Sequence, residues 1–132
     1  MVALNKVLIA GRLTRKPELR KTPNGVAVTD LLIALNRDFT TPNGERQQEV
    51  CFVDVVVWGK QAENCVATLD VSSGVLVEGR LQLDIWYANG GKDKRSKLRV
   101  AAERVQFIDK KVENEKYEEA LNSYGPDLKS ML

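Results

Sequence analysis

Histidine is missing altogether from this 132-residue chain, and cysteine occurs only twice. The first absence removes the commonest general base and the commonest metal ligand. The second leaves Cys51 and Cys65 without the close-spaced partners that a zinc site needs. Both read as small core residues, Cys51 on a buried strand face and Cys65 on a helix, and a reducing cytosolic compartment fits them. No apolar run approaches the ~20 residues that cross a bilayer. The start, MVALNKVLIAGRL, lacks the charged region and cleavage motif of a signal peptide. Carboxylates such as Asp54 and Glu78 are present, but neither a metal cluster nor an activated nucleophile accompanies them. An enzyme is therefore the weakest class of reading, and no cofactor or metal is expected. Charge of one sign is scarce too, since 20 Lys or Arg against 18 Asp or Glu leave only +2. The distribution says more than the total. Residues 1–109 hold 16 basic against 13 acidic side chains, a net +3, while residues 110–132 hold 4 against 5, a net −1.

What is there reads as a run of strands interrupted once. A first strand fits Val2 to Leu13, and a TPNG turn at Thr22 to Gly25 leads into a second at Val26 to Arg37. Another TPNG at Thr41 to Gly44 precedes a third strand, Glu49 to Trp58. Lys60 to Asp70 then changes period: Ala62, Cys65, Val66 and Leu69 fall at i, i+3, i+4 and i+7, an amphipathic helix. Ser72, Ser73 and Gly74 end it before a fourth strand, Val75 to Tyr87. ANGGKDKRS reads as a flexible basic hairpin loop, and a fifth strand covers Lys97 to Ile108. Its apolar parity shifts between Val100 and Val105, which predicts a bulge or a bend. Three strands, a helix and two strands is the order of an OB-fold, a small all-β Greek-key barrel of five strands that binds oligonucleotides. Residues 1–109 form that domain, and residues 110–132 form a short, flexible C-terminal tail. In the tail Tyr117, Ala120, Leu121 and Tyr124 share a helical face, but its charge and Gly125-Pro126 favour a frayed linker over a stable helix.

Only eight residues are aromatic, so their placement matters. Along Val75 to Tyr87 the alternating Val75, Val77, Leu81, Leu83 and Ile85 form the expected buried set. Trp86 falls on the opposite face with Glu78, Arg80, Gln82 and Asp84. Between Val50 and Trp58 the apolar set is Cys51, Val53, Val55 and Val57, and Phe52 and Trp58 share the other face with Asp54. Flat aromatics on a half-polar sheet face, amid basic residues, are what stacking on unpaired nucleobases requires. The alternative is that each covers a core edge or a subunit contact; three on two strands favour a binding surface.

Four segments, NKVLIAGRL, KPELRKTPNGVAV, FVDVVVWGKQAE and VLVEGRLQLDIW, occur in this order between residues 4 and 109. In these the chain resembles the bacterial-type single-stranded DNA-binding proteins. The resemblance implies four stacking positions, which fall on Phe39, Phe52, Trp58 and Trp86; Phe39 comes from the resemblance alone. Lys6 and Lys60 match family positions on the DNA path. Arg37 and Arg80 join them as phosphate-contacting candidates because they neighbour the aromatics. The resemblance also implies a cytoplasmic, nucleoid-associated homotetramer with the first strand in a subunit interface. Two departures stand out. Thr68 replaces a tyrosine common in the family's helix, and the tail lacks the acidic, Phe-capped tip, with Asp127 followed by Lys129 and a Met131-Leu132 ending. Replication and repair proteins are possible partners, with recruitment through the usual acidic tip put in doubt by this ending.

The expected function is therefore to bind and coat single-stranded DNA without strong sequence preference during replication, recombination and repair. Aromatic stacking and phosphate electrostatics supply the affinity. The rival readings are an OB-fold replication-restart adaptor and an RNA-binding OB-fold module.

Overall fold

Three consecutive valines, Val55, Val56 and Val57, are all buried, which alternation on a one-sided sheet does not produce. The computed structural model, which describes residues 2–109, shows why. These valines lie on β4 (Arg46–Trp58), between β3 (Ala27–Thr40) and β6 (Asp93–Asp109). Val55 and Val57 point into the main core, while Val56 joins Val28 and Ala101 in a small cluster on the outside. The remaining elements are β1 (Val7–Leu13), a two-residue β2 (Arg20–Lys21), α1 (Lys60–Thr68) and β5 (Gly74–Ala88).

The five long strands close on themselves. β1 pairs with β5, β5 with β6 and β3 with β4, all antiparallel. A short parallel contact, Val55 opposite Val100 and Val56 opposite Ala101, joins β4 to β6. Arg12 opposite Ala34 and Leu13 opposite Ile33 join β1 to β3 and complete the OB barrel. Its interior holds Leu13, Leu31, Ile33, Val55, Val57, Val75 and Val77, none more than 1% exposed. Burial of each such side chain is worth roughly 1.5–3 kcal/mol. Helix α1 packs Ala62 and Cys65 into the same core, together with Leu69 just beyond its end. It stops at Thr68 rather than at Asp70, because Leu69 turns extended while its N–H still bonds the Cys65 carbonyl at 2.8 Å.

The two TPNG segments are the same device used twice. Gly25 N–H bonds the Thr22 carbonyl and Gly44 N–H that of Thr41, at 2.8 and 2.9 Å. Each threonine hydroxyl also accepts from a backbone N–H four residues on, that of Val26 or Glu45. The expected bulge lies where apolar parity shifted: Glu78 faces Arg104 but Gly79 faces Ala102, leaving Glu103 as the extra residue. Gly79 permits the close approach there, since a Cβ on it would sit 2.2 Å from the Ala101 carbonyl oxygen.

Several expectations need correction. The first strand begins at Val7, not Val2; Val2 and Leu4 lie outside the sheet and are almost fully exposed. The second and third strands run on to Thr40 and from Arg46, so β3 and β4 form a hairpin that projects past the barrel. That projection leaves Cys51 exposed rather than buried. β6 begins at Asp93, so most of the expected basic loop is strand and only Asn89–Lys92 remain as the turn. The largest correction concerns β5. Val75 and Val77 are buried, but Leu81, Leu83 and Ile85 are 46%, 56% and 48% exposed. Alternation does place them on one face, together with Leu98 opposite Leu83. Beyond the bulge, however, no second layer among the described residues covers that face. The readings made for residues 110–132 lie outside the described residues.

Candidate nucleic-acid interface

Directly opposed residues in a sheet share a face, so the strand register shows which candidates come together. Trp58 lies opposite Val28, and Val28 opposite Arg20, giving a row across β4, β3 and β2 on the outer face. Phe52 lies on the same face, opposite Ala34, with Asp54 and Val56 between it and Trp58. Val56 pairs with Ala101, and Ala101 with Arg80, which carries the face onto β6 and β5. Along β5 it continues through Gln82 and Asp84 to Trp86, which faces Arg95. Phe52, Trp58, Trp86 and Arg80 therefore share one outer face of the barrel. Trp58 and Trp86 are 47% and 45% exposed, and Phe52 is half-buried, packed against Ala34.

Four candidates sit elsewhere. Phe39 faces Gln47 on the other side of the β3–β4 hairpin. Arg37 lies over its ring, 4.9 Å from the centroid, and pairs with Glu49 at 2.7 Å. The ring and its cation thus form a separate aromatic-basic spot rather than part of the main face. Lys6 lies just ahead of β1, 3.7 Å from Glu78. Lys60 opens α1 two residues after Trp58, is 83% exposed, and pairs only loosely with Glu63 at 3.6 Å. The aromatic face is flanked by these two lysines, not lined by them.

The sequence reading passed over the polar centre of the face. Arg95, Lys97 and Arg99 alternate along β6 and lie on the outer face, opposite Trp86, Asp84 and Gln82. Lys97 is ion-paired with Asp54, and Arg99 with both Asp84 and Asp30. The alternation of basic residues from 95 to 99 was the available signal; starting the fifth strand at Lys97 left Arg95 in the expected loop and cut the pattern in two. Asp84 is held below its ordinary value of 3.8, first by the hydrogen bond from Gln82, then by Arg99 and the charge of Lys97, with partial burial opposing. Among the described residues no group of histidine, cysteine and carboxylate side chains is placed to hold a metal ion. No helix among them is long and apolar enough to cross a membrane.

A closed five-stranded barrel with one helix, carrying Phe52, Trp58 and Trp86 on one outer face, defines the OB-fold class of binding protein. Comparison with known proteins narrows this. The sequence profile of the single-strand binding protein family matches residues 4–108, and the chain belongs to that family. It is a family of binding proteins, not of enzymes. The chain is 43% identical over 115 residues to single-stranded DNA-binding protein 2 of Chlorobaculum tepidum, covering 86% of this chain and 77% of that protein. It is 46% identical over 107 residues to the single-stranded DNA-binding protein of Wolinella succinogenes, covering 81% of this chain and 65% of that one. Among solved structures, the wild-type single-stranded DNA binding protein of Thermus aquaticus superposes with a TM-score of 0.70 at 34% identity. That match covers 80% of this chain and 50% of the Thermus chain. A Plasmodium falciparum SSB in complex with single-stranded DNA shares the fold, with a TM-score of 0.74 at 19% identity, covering 83% of this chain and 98% of that one.

Proposed function

We propose that this chain binds and coats single-stranded DNA without strong sequence preference, as a non-catalytic homotetramer serving replication, recombination and repair at the nucleoid. The observation that carries the reading is the shared outer face of Phe52, Trp58 and Trp86. Each exposed ring offers a platform to a base whatever its identity, worth ~1–3 kcal/mol per stacked base. Phe39 extends the path along the β3–β4 hairpin. Lys6, Arg37, Lys60 and Arg80 contact the phosphates, and each such contact contributes a slope of about −0.7 to log affinity against log salt. Residues 1–109 are the binding domain and residues 110–132 an appended tail. The names of the Chlorobaculum and Wolinella relatives point the same way.

Two features support assembly. Among the described residues, Val7–Gly11 of β1 pair with β5 on one side only, which leaves a strand edge for another copy. Leu81, Leu83, Ile85 and Leu98 form an apolar strip that no other described residue covers, the mark of an interaction surface. Titration with a single-stranded oligonucleotide, followed by intrinsic fluorescence, tests the binding role. Both tryptophans of the chain are in the proposed site. Strong quenching by single-stranded DNA and little by duplex at equal phosphate is expected. Unchanged emission at saturating oligonucleotide would sink the assignment.

A further inference from the structure

The middle of the aromatic face is not open cationic ground. Lys97 on β6 is paired with Asp54 on β4, whose side chain is only 18% exposed. Arg99 contacts Asp84 on β5 and reaches across β4 to Asp30 on β3, with Nη1 3.1 Å from Oδ1. The second oxygen of Asp30 accepts from Arg20 Nη2 at 2.8 Å. The second oxygen of Asp84 accepts from Gln82 Nε2 at 2.7 Å. Three carboxylates on the outer face thus engage three cations: Lys97 and Arg99 lie on β6 between the β4 rings Phe52 and Trp58 and the β5 ring Trp86, and the network runs on past β4 through Asp30 on β3 to Arg20 on β2.

We propose that Lys97 and Arg99 are phosphate-binding residues of this face, and that Asp54, Asp84 and Asp30 are built-in competitors that the phosphodiesters of a bound strand displace. The proposal rests on reading the face as the strand's site. A carboxylate and a phosphodiester each carry one negative charge on two oxygens, and the guanidinium fork accommodates either. Lys97 is 52% exposed, so a phosphate reaches it from solvent while Asp54 stays beneath. Each exchange leaves a half-buried carboxylate less well paired, and that penalty subtracts from affinity. The consequence is selectivity. With Lys97 and Arg99 already paired, the centre of the face gives less to a polyanion that brings phosphates alone, so strong binding requires bases free to stack on the three rings. Removing a competitor raises affinity for any phosphate backbone and erodes that preference.

The test uses the full chain and oligothymidine, followed by tryptophan fluorescence at several salt concentrations, with Asp54→Asn as the principal variant. Asp54→Asn frees Lys97 without a change of shape. It should tighten binding at low salt and steepen the salt slope by about 0.7, an added gain of roughly 2.6-fold for each fourfold dilution of salt. Its affinity for duplex should rise at least as much. Lys97→Gln should do the reverse, weakening binding and flattening the slope. Affinity for a thymine peptide-nucleic-acid oligomer, which has no phosphate, should be the same in wild type and Asp54→Asn. Equal or weaker DNA binding by Asp54→Asn, or an equal gain for the phosphate-free oligomer, overturns the competitor role. Loss of all quenching in the wild type instead overturns the reading of the face itself.

Discussion

Arg99 lies diagonally across the β5–β6 ribbon from Asp84, and its ion pair with that carboxylate is shared with Asp30 from two strands away. One guanidinium thereby ties together β3, β5 and β6 on the outside of the barrel. The arrangement has a pH signature. Asp84 is held below 3.8, so the folded chain binds that proton less tightly than the unfolded chain does. The resulting stability is fully present above the unfolded carboxylate value and is lost as pH falls below it and through the folded value. Thermal unfolding should show wild type more stable than Asp84→Asn at pH 7, with the gap closing toward pH 3. A gap that stays constant across that range contradicts the assignment.

Trp86 and Ile33 separate binding from folding. Trp86 is 45% exposed, so Trp86→Ala should leave the unfolding midpoint almost unchanged while weakening single-strand binding by ~1–3 kcal/mol per engaged base. Ile33 is 0% exposed in the core, and Ile33→Ala should cost about 2–5 kcal/mol of stability. Denaturant melts and oligonucleotide titrations of the two variants decide it; a reversed pattern means the face has been read inside out.

Leu83 faces Leu98 on a strip that no other part of the described chain covers. Leu83→Asp should therefore spare the fold and damage assembly. Light scattering should report a smaller particle than wild type at equal concentration, with an unchanged far-ultraviolet spectrum. A wild-type particle already at 14.8 kDa and independent of concentration rejects the tetramer.

The two thiols differ in kind. Burial pushes Cys65 up to about 11, while Cys51 is exposed on the projecting part of β4. A thiol-reactive chromophore at pH 8 should titrate one equivalent quickly from the native protein and the second only after denaturant. Two fast equivalents would show that Cys65 is not held in the core.

Much of the architecture was legible because local rules sufficed. The TPNG turns follow from residue type, the helix from its period, and the bulge from the parity slip between Val100 and Val105. The outer placement of Phe52, Trp58 and Trp86 was legible for the same reason, since alternation assigns faces wherever a strand is regular. Phe39 marks the limit. It was placed by resemblance rather than by alternation, and the register puts it across the ribbon from the other three.

By itself, then, the sequence determined which residues share a face, where the chain turns and where it becomes helical, because those properties depend on neighbours a few positions away. It did not determine what lies over each face. Leu81, Leu83 and Ile85 alternate as regularly as Val75 and Val77, yet among the described residues only the latter pair is covered, because the barrel closes around one half of β5 and the other half projects beyond it. Nor did it determine the partners of Lys97 and Arg99. The Arg99 contacts join residues 15 and 69 positions apart, and strand pairing alone brings them within reach. The charge of a surface depends on which distant carboxylates the fold sets beside its cations, and only closure of the barrel decides that.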